Sequence, residues 1–300
     1  RKTGSGFYLA LACGVLAAAG TVEQRALEGT VLVGELALDG RLRAVRGVLP
    51  CLLAARAAGV RRVVVPEDAL TEAALVDGID VYGAATLGQV LAWFEGAPVL
   101  ARPCAPPALA AAPLHDLADV VGQDDARRAL EVAAAGGHHL LLVGPPGTGK
   151  TMLAQRIAGL LPELSSEEAL ALAAIRSVAG VLPAEGLTRT PPFVAPHHST
   201  SMAALVGGGS GLAKPGAVSL AHRGTLFMDE APEFKSHVLD ALRTPLEEGE
   251  VRLARAEGTV RYPARFQLVL AANPCPCAPA HDRDCVCPSL VRRRYLGRLS

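Results

Sequence analysis

Residues 144–151 read Gly-Pro-Pro-Gly-Thr-Gly-Lys-Thr, and this string narrows the folds open to the chain more than any other stretch. It follows the apolar run His139–Val143, which reads as a strand, and it leads into a segment that reads as a helix. In that strand–loop–helix setting, G-x-x-x-x-G-K-[ST] is a phosphate-binding loop of an α/β fold. Gly144, Gly147 and Gly149, with Pro145, Pro146 and Thr148 between them, let main-chain N–H groups curl around an anion. The helix N-terminus adds partial positive charge. Lys150 offsets the charge of the β and γ phosphates, Thr151 offers a hydroxyl to Mg²⁺, and Met152 closes the nucleotide-contacting stretch. The bland alternative is a glycine turn that holds nothing.

Hydrolysis needs more than a cradle, so a metal-side acid and a water-activating group are expected on a neighbouring strand. Gly224-Thr-Leu-Phe-Met-Asp229-Glu230 supplies both: Asp229 for the Mg²⁺ shell and Glu230 to polarise water. Asn273 ends the apolar run Leu268–Ala272, where its side chain could reach between the γ-phosphate and the water or simply cap a strand. Upstream, Val120-Val121-Gly122-Gln123 precedes a helix; Val121 and Gly122 are candidates for the adenine pocket, against a plain helix start.

The rest of the chain alternates helical and strand patterns, which implies α/β organisation. Over residues 7–97 the pattern predicts helices near 7–19, 48–58, 68–76 and up to Phe94, with strands near 31–38, 61–65 and 79–82. Proline and alanine dominate Ala97–Pro113, which reads as a linker. Beyond it the pattern predicts a helix over 123–135, and a capping box of Ser165 with Glu168 before an apolar helix. One helix over Lys235–Glu248, a hairpin over Gly249–Tyr262 and a buried strand over Phe266–Ala272 follow.

Of 300 residues, 50% are apolar and 19% charged, with formal net charge zero. That composition excludes a disordered chain, and its charge balance gives no whole-chain pull towards nucleic acid or an anionic membrane. The apolar segment Phe7–Gly20 has the outline of a secretory signal but is too short to span a bilayer; a buried helix is the expected form. No membrane partner is expected, and the cysteines favour the bacterial cytoplasm over an extracellular disulfide framework.

Four of the seven cysteines crowd together as Cys275-Pro-Cys277 and Cys285-Val-Cys287. They can offer four thiolates to one Zn²⁺, with His281 as a substitute ligand; free thiols and reversible disulfides are the other readings. Cys13, Cys51 and Cys104 read as core or linker residues. Arg292, Arg293, Arg294 and Arg298 beside Tyr295 form a positive run that is either a solvated face or a phosphate contact, and Arg252, Arg255 and Arg261 mark the hairpin.

GPPGTGKT, LFMDE, the strand-end Asn273 and the hairpin before it together resemble the AAA+ family in its magnesium-chelatase-like branch. LADVVGQDDARRALEVAAAGGHHLLLVGPPGTGKTMLA, APHHST, SLAHRGTLFMDEAPEF and AANPCPC look like the ComM/YifB family, bacterial ATPases linked to DNA uptake and recombination. Residues 1–97 are similar to a Lon-protease-like domain, most recognisably over Gly34–Gly59. The fold class so implied is α/β: a Lon-protease-like α/β domain over 1–97, a Pro/Ala linker over 98–115, and a P-loop AAA+ α/β core over 116–300 that stops before the helical lid. The resemblance also implies a homo-oligomeric ring, usually hexameric, that couples ATP turnover to movement on DNA and to branch migration.

Three departures from the family pattern bear on that expectation. Gly6 and Leu49 stand where a Lon-type serine and lysine would act, with Ser5 adjacent and Lys2 the only lysine in the domain, so a structural or coupling role is expected rather than proteolysis. Pro191-Pro192-Phe193-Val194 replaces the arginines that usually precede the histidine pair, and His197 and His198 receive no role. The chain ends at Ser300, before the segment where the family places its arginine finger, a group worth about 10³ to 10⁵ in turnover; nucleotide binding with slow hydrolysis is therefore expected of these 300 residues. The rival readings are a chelatase-type motor that drives Mg²⁺ into a porphyrin, and a non-motor, nucleotide-dependent assembly scaffold.

Overall fold

Val63, Val64 and Val65 are β-branched and fully buried, which suits a middle strand of a parallel sheet covered on both faces. The computed structural model describes residues 4–104, 115–183, 186–209, 213–255, 258–279 and 282–299. These form two units: Arg1–Ala110 with Ala173–Leu187, and Ala111–Leu172 with Thr188–Ser300.

In the first unit the order is α1 (Tyr8–Ala18), β1 (Thr30–Leu32), β2 (Glu35–Leu36), β3 (Leu42–Arg43), α2 (Val48–Ala57), β4 (Arg62–Pro66), α3 (Leu70–Ala73), β5 (Asp80–Ala84) and α4 (Leu87–Phe94). The valines lie on β4, paired in parallel with β1 and β5. Leu9, Cys13, Leu32, Leu42, Val64, Ala84 and Val90 form its core. The single strand expected over 31–38 is two pieces, β1 and β2, parted at Val33-Gly34, where the Gly34 amide leaves the sheet for the Gly6 carbonyl at 2.8 Å; beyond them Asp39 accepts the Arg41 amide, Gly40 takes φ 83°, and β2 turns back onto β3. The helix expected to be buried shows a different balance. Leu9 and Cys13 are inside, whereas Phe7, Leu11 and Val15 are 62–67% exposed, because the run is apolar all round and only one face meets the core. Leu49 is buried and its amide donates to Glu72 Oε1 at 2.6 Å; Lys2 lies outside the described residues.

The second unit contains α5 (Asp124–Gly136), β6 (Leu140–Val143), α6 (Lys150–Leu160), α7 (Ser166–Ala179, whose last half joins the first unit), β7 (Phe193–Val194) and β8 (Thr225–Met228). Then come α8 (Ser236–Asp240), α9 (Arg243–Glu248), β9 (Glu250–Arg255), β10 (Gly258–Pro263), β11 (Gln267–Ala272) and α10 (Ser289–Leu296). Four parallel strands make its sheet in the order β6-β11-β8-β7, while β9 and β10 form a separate antiparallel hairpin. Leu130, Leu153, Ile157, Phe227 and Val269 pack one face; Leu226, Met228, Phe234 and Val238 pack the other.

Side chains hold the strand ends in register. Gln267 Nε2 donates to the carbonyls of Ala133 (2.9 Å) and His138 (2.6 Å), fixing the start of β11 against the end of α5. Gly224 is obligatory, since a Cβ there would stand 2.1 Å from the Pro192 carbonyl oxygen. The capping box is present, with Ser165 N on Glu168 Oε2 (3.0 Å) and Glu168 N on Ser165 Oγ (3.2 Å). The helix expected over Lys235–Glu248 is broken into α8 and α9, because Pro245 has no N–H to give the Ala241 carbonyl. Among the described residues no helix is long and apolar enough to cross a membrane.

Candidate nucleotide site

β6 ends at Val143, and the chain turns through Gly147 (φ 79°) and Gly149 (φ 82°) into α6. A Cβ at Gly147 would meet nothing within 4 Å, so glycine is needed there for its dihedral angle. Thr148 Oγ1 donates to the Pro145 carbonyl at 2.8 Å and braces the loop from inside. Lys150 leads the helix, and its Nζ donates to the carbonyls of Gly144 (2.6 Å) and Pro145 (2.8 Å) and to Asn273 Oδ1 (3.2 Å). Partial burial holds the Lys150 ammonium below the usual lysine value, with the Asp229 carboxylate opposing that shift. Met152 packs partly into the core beside Leu153.

The acids come from further away than a neighbouring strand. β11, which carries Asn273, lies between β6 and β8, so the loop, Asn273 and the acids occupy three successive strand ends. Thr151 Oγ1 donates to Asp229 Oδ2 at 2.7 Å, which brings a hydroxyl and a carboxylate together as a hard-oxygen pair. Asp229 Oδ1 accepts the Glu230 amide at 2.9 Å, and Glu230 takes the left-handed conformation at φ 50°, unusual for a residue with a Cβ.

Two residues without an assigned role enter the site. His198 Nδ1 lies 3.0 Å from Glu230 Oε2, and its ring stands 4.0 Å from that of His197, whose Nδ1 contacts Ser199 Oγ at 2.8 Å. Gln123, at φ 55°, donates from Nε2 to the Thr148 carbonyl at 3.2 Å and so tethers the start of α5 to the phosphate loop. The sequence hint was its place directly after Gly122. Val121 is 95% exposed and Gly122 takes φ 72°.

The profile described as "Magnesium chelatase, subunit ChlI" matches residues 116–300, more than half the chain. The chain belongs to the magnesium-chelatase ChlI family. A second profile, "Subunit ChlI of Mg-chelatase", matches residues 1–69. An uncharacterised Mycobacterium tuberculosis protein is 61% identical over 300 residues, which is all of this chain and 60% of that protein. Uncharacterised YifB of Escherichia coli is 47% identical over 299 residues, and competence protein ComM of Haemophilus influenzae 45% over 309; each match takes in the whole chain and 59% of the relative. This ChlI-family chain thus spans about three-fifths of the length of these relatives, and the resemblance to ComM/YifB proteins extends along all of it.

An AAA+ chain of this family implies nucleotide and Mg²⁺, and the residues present fit both. Space around Gly147 is open, with nothing within 4 Å of where a Cβ would stand; the loop's one ammonium is held by neutral carbonyls and an amide that phosphate oxygens can displace, and Thr151 with Asp229 offers the oxygen ligands that Mg²⁺ prefers.

Proposed function

We propose that this chain is the nucleotide-hydrolysing core of an ATP-driven motor that remodels DNA, in the manner of ComM/YifB proteins. The observation that carries the reading is convergence: Lys150, Thr151, Asp229 and Asn273, from three separate stretches of sequence, are joined by the 2.7 Å and 3.2 Å hydrogen bonds at one end of the sheet. In this reading Gly144–Met152 wraps the nucleotide's phosphates with main-chain amides, and Lys150 leaves its carbonyl partners for the β and γ oxygens. Val121 and Gly122 border the base. Thr151 and Asp229 would hold Mg²⁺, which would neutralise the negative charge that develops on the phosphates. Glu230 accepts the proton of the attacking water, His198 aims that carboxylate, and Asn273 orients the water beside the γ-phosphate.

The DNA half of the proposal rests on the relative named as a competence protein and on local charge. Among the described residues Arg292, Arg293 and Arg294 form no ion pair. The hairpin offers less: Arg252 is held by Glu248 (3.0 Å) and Glu250 (2.5 Å), and Arg261 lies 3.9 Å from Glu250. Arg298 donates to the Pro232 carbonyl at 2.8 Å. Residues 1–97 act in this reading as a Lon-like coupling domain without its dyad, joined through 98–115 to the motor core, and copies assemble into a ring of six in the cytoplasm.

The test is ATP turnover by the whole protein with and without single-stranded or branched DNA, beside Lys150→Ala and Glu230→Gln. Salt-sensitive stimulation by DNA, lost in both variants, is the expected result. Turnover indifferent to DNA removes the DNA half, and failure to bind ATP with Mg²⁺ removes the motor. A chelatase-type motor is the second reading, favoured by the profile over 116–300; it requires ATP-dependent Mg²⁺ insertion into a porphyrin. A scaffold would keep its cellular activity in Glu230→Gln.

A further inference from the structure

Three residues past the end of β11 the chain makes a tight turn. Cys275 is buried at 1% exposure, its carbonyl accepts the Ala278 amide at 3.1 Å, and Ala278 takes φ 43°. The turn brings Cys277 back towards Cys275, and the chain returns with Cys285 and Cys287. The Sγ atoms of Cys275, Cys277, Cys285 and Cys287 all lie within 4.8 Å of one another. Cys275 is 3.3 Å from Cys277 and 3.4 Å from Cys285, and Cys277 is 3.7 Å from Cys285.

These separations discriminate between occupants. A disulfide needs sulfurs about 2.05 Å apart, and all four cysteines are free. Four sulfurs placed about 2.3 Å from a central Zn²⁺ in tetrahedral array stand about 3.8 Å from each other, close to the observed spacing. A polynuclear iron–sulfur core would hold its thiolates further apart.

We propose that Cys275, Cys277, Cys285 and Cys287 form a structural site for one Zn²⁺ that clamps the chain directly after Asn273. Four protein ligands leave no open position, so the metal is structural rather than catalytic. The segment Cys275–Cys287 buries little besides Cys275 among its described residues, so a metal supplies the closure that a core would otherwise give. His281 lies outside the described residues and is not needed to complete the set. Asn273 is two residues from the first ligand and bonds Lys150, so the clamp steadies one wall of the nucleotide site.

The test is elemental analysis of the whole protein purified without oxygen. About one zinc per chain is expected, falling below about 0.2 in Cys277→Ser/Cys287→Ser and unchanged in Cys51→Ser, whose cysteine is exposed in the other unit. In case the double variant fails to fold, metal-stripped wild-type protein is titrated with Co²⁺; the intense visible bands of tetrahedral thiolate cobalt are expected. Wild-type protein that binds nucleotide yet holds less than about 0.2 zinc and gives no such bands overturns the proposal, as does iron in place of zinc. Metal content is read independently of turnover, so the site and the motor fail or stand separately.

Discussion

In the proposed hydrolysis His198 is the residue that aims the Glu230 carboxylate. Glu230 sits in a left-handed conformation at φ 50°, and beyond its own backbone the contact that orients its carboxylate is His198 Nδ1 at 3.0 Å. Removing the imidazole leaves the carboxylate present but free to rotate, so His198→Ala should lower kcat roughly tenfold with little change in KM for ATP, and His198→Asn should restore part of the loss. Steady-state kinetics across the three proteins checks this; an unchanged kcat means that the contact is incidental. Lys150 acts earlier. Truncating a charged partner of this kind costs at least about 2 kcal/mol, so Lys150→Ala should weaken nucleotide binding some thirtyfold or more by calorimetry. Lys150, Thr151, Asp229 and Glu230 were legible because each belongs to a contiguous string whose spacing is set by one turn of backbone. The contacts of His198 and Gln123 were not, since each depends on which strand ends lie side by side, and local periodicity carries no strand order.

Elements of the second unit are held by polar side chains whose protonation matters. His222 is 6% exposed and its Nδ1 accepts the Arg265 amide at 3.1 Å. Burial, then the charges of Arg223 and Arg265, push it down from 6.5 to about 4. The unfolded chain therefore takes up this proton first as pH drops. Stability is full above about pH 6.5 and declines towards pH 4, by up to about 3 kcal/mol from this group. Urea unfolding at pH 7.5 and 4.5 should reveal the loss, and His222→Gln should flatten it. At the start of α7, Ser165→Ala removes the acceptor for the Glu168 amide and should cost about 1 kcal/mol, read as a lower Tm. Local chemistry of this sort was visible in advance: the capping box, the hairpin and the strand before Asp229 follow from a few adjacent residues. The reading failed where it passed over a local breaker, as with Pro245 in one helix, and where a distant partner intervened, as with Gly34, whose amide goes to the Gly6 carbonyl and parts one strand into two.

At the scale of the whole molecule, the division of the chain is not sequential. Residues 173–187 group with Arg1–Ala110 rather than with the segments on either side. Glu72 explains part of the attachment, because its carboxylate accepts both the Leu49 amide at the start of α2 and the Ser177 hydroxyl of α7. Glu72→Ala leaves two donors without an acceptor and should destabilise the first unit by about 2–3 kcal/mol, with hydrogen exchange rising at the start of α2 and around Ser177 together. A break read from composition at 98–115 could not reveal this, since α7 reads as one apolar helix behind its capping box and nothing in that run says that its two halves answer to different neighbours. The dependence reaches beyond one molecule. Any lineage that exchanges its front hundred residues with a cousin's must import the matching stretch near 180 as well, so the two should be inherited as a pair, and chimaeras joined only at the proline-rich seam should express poorly.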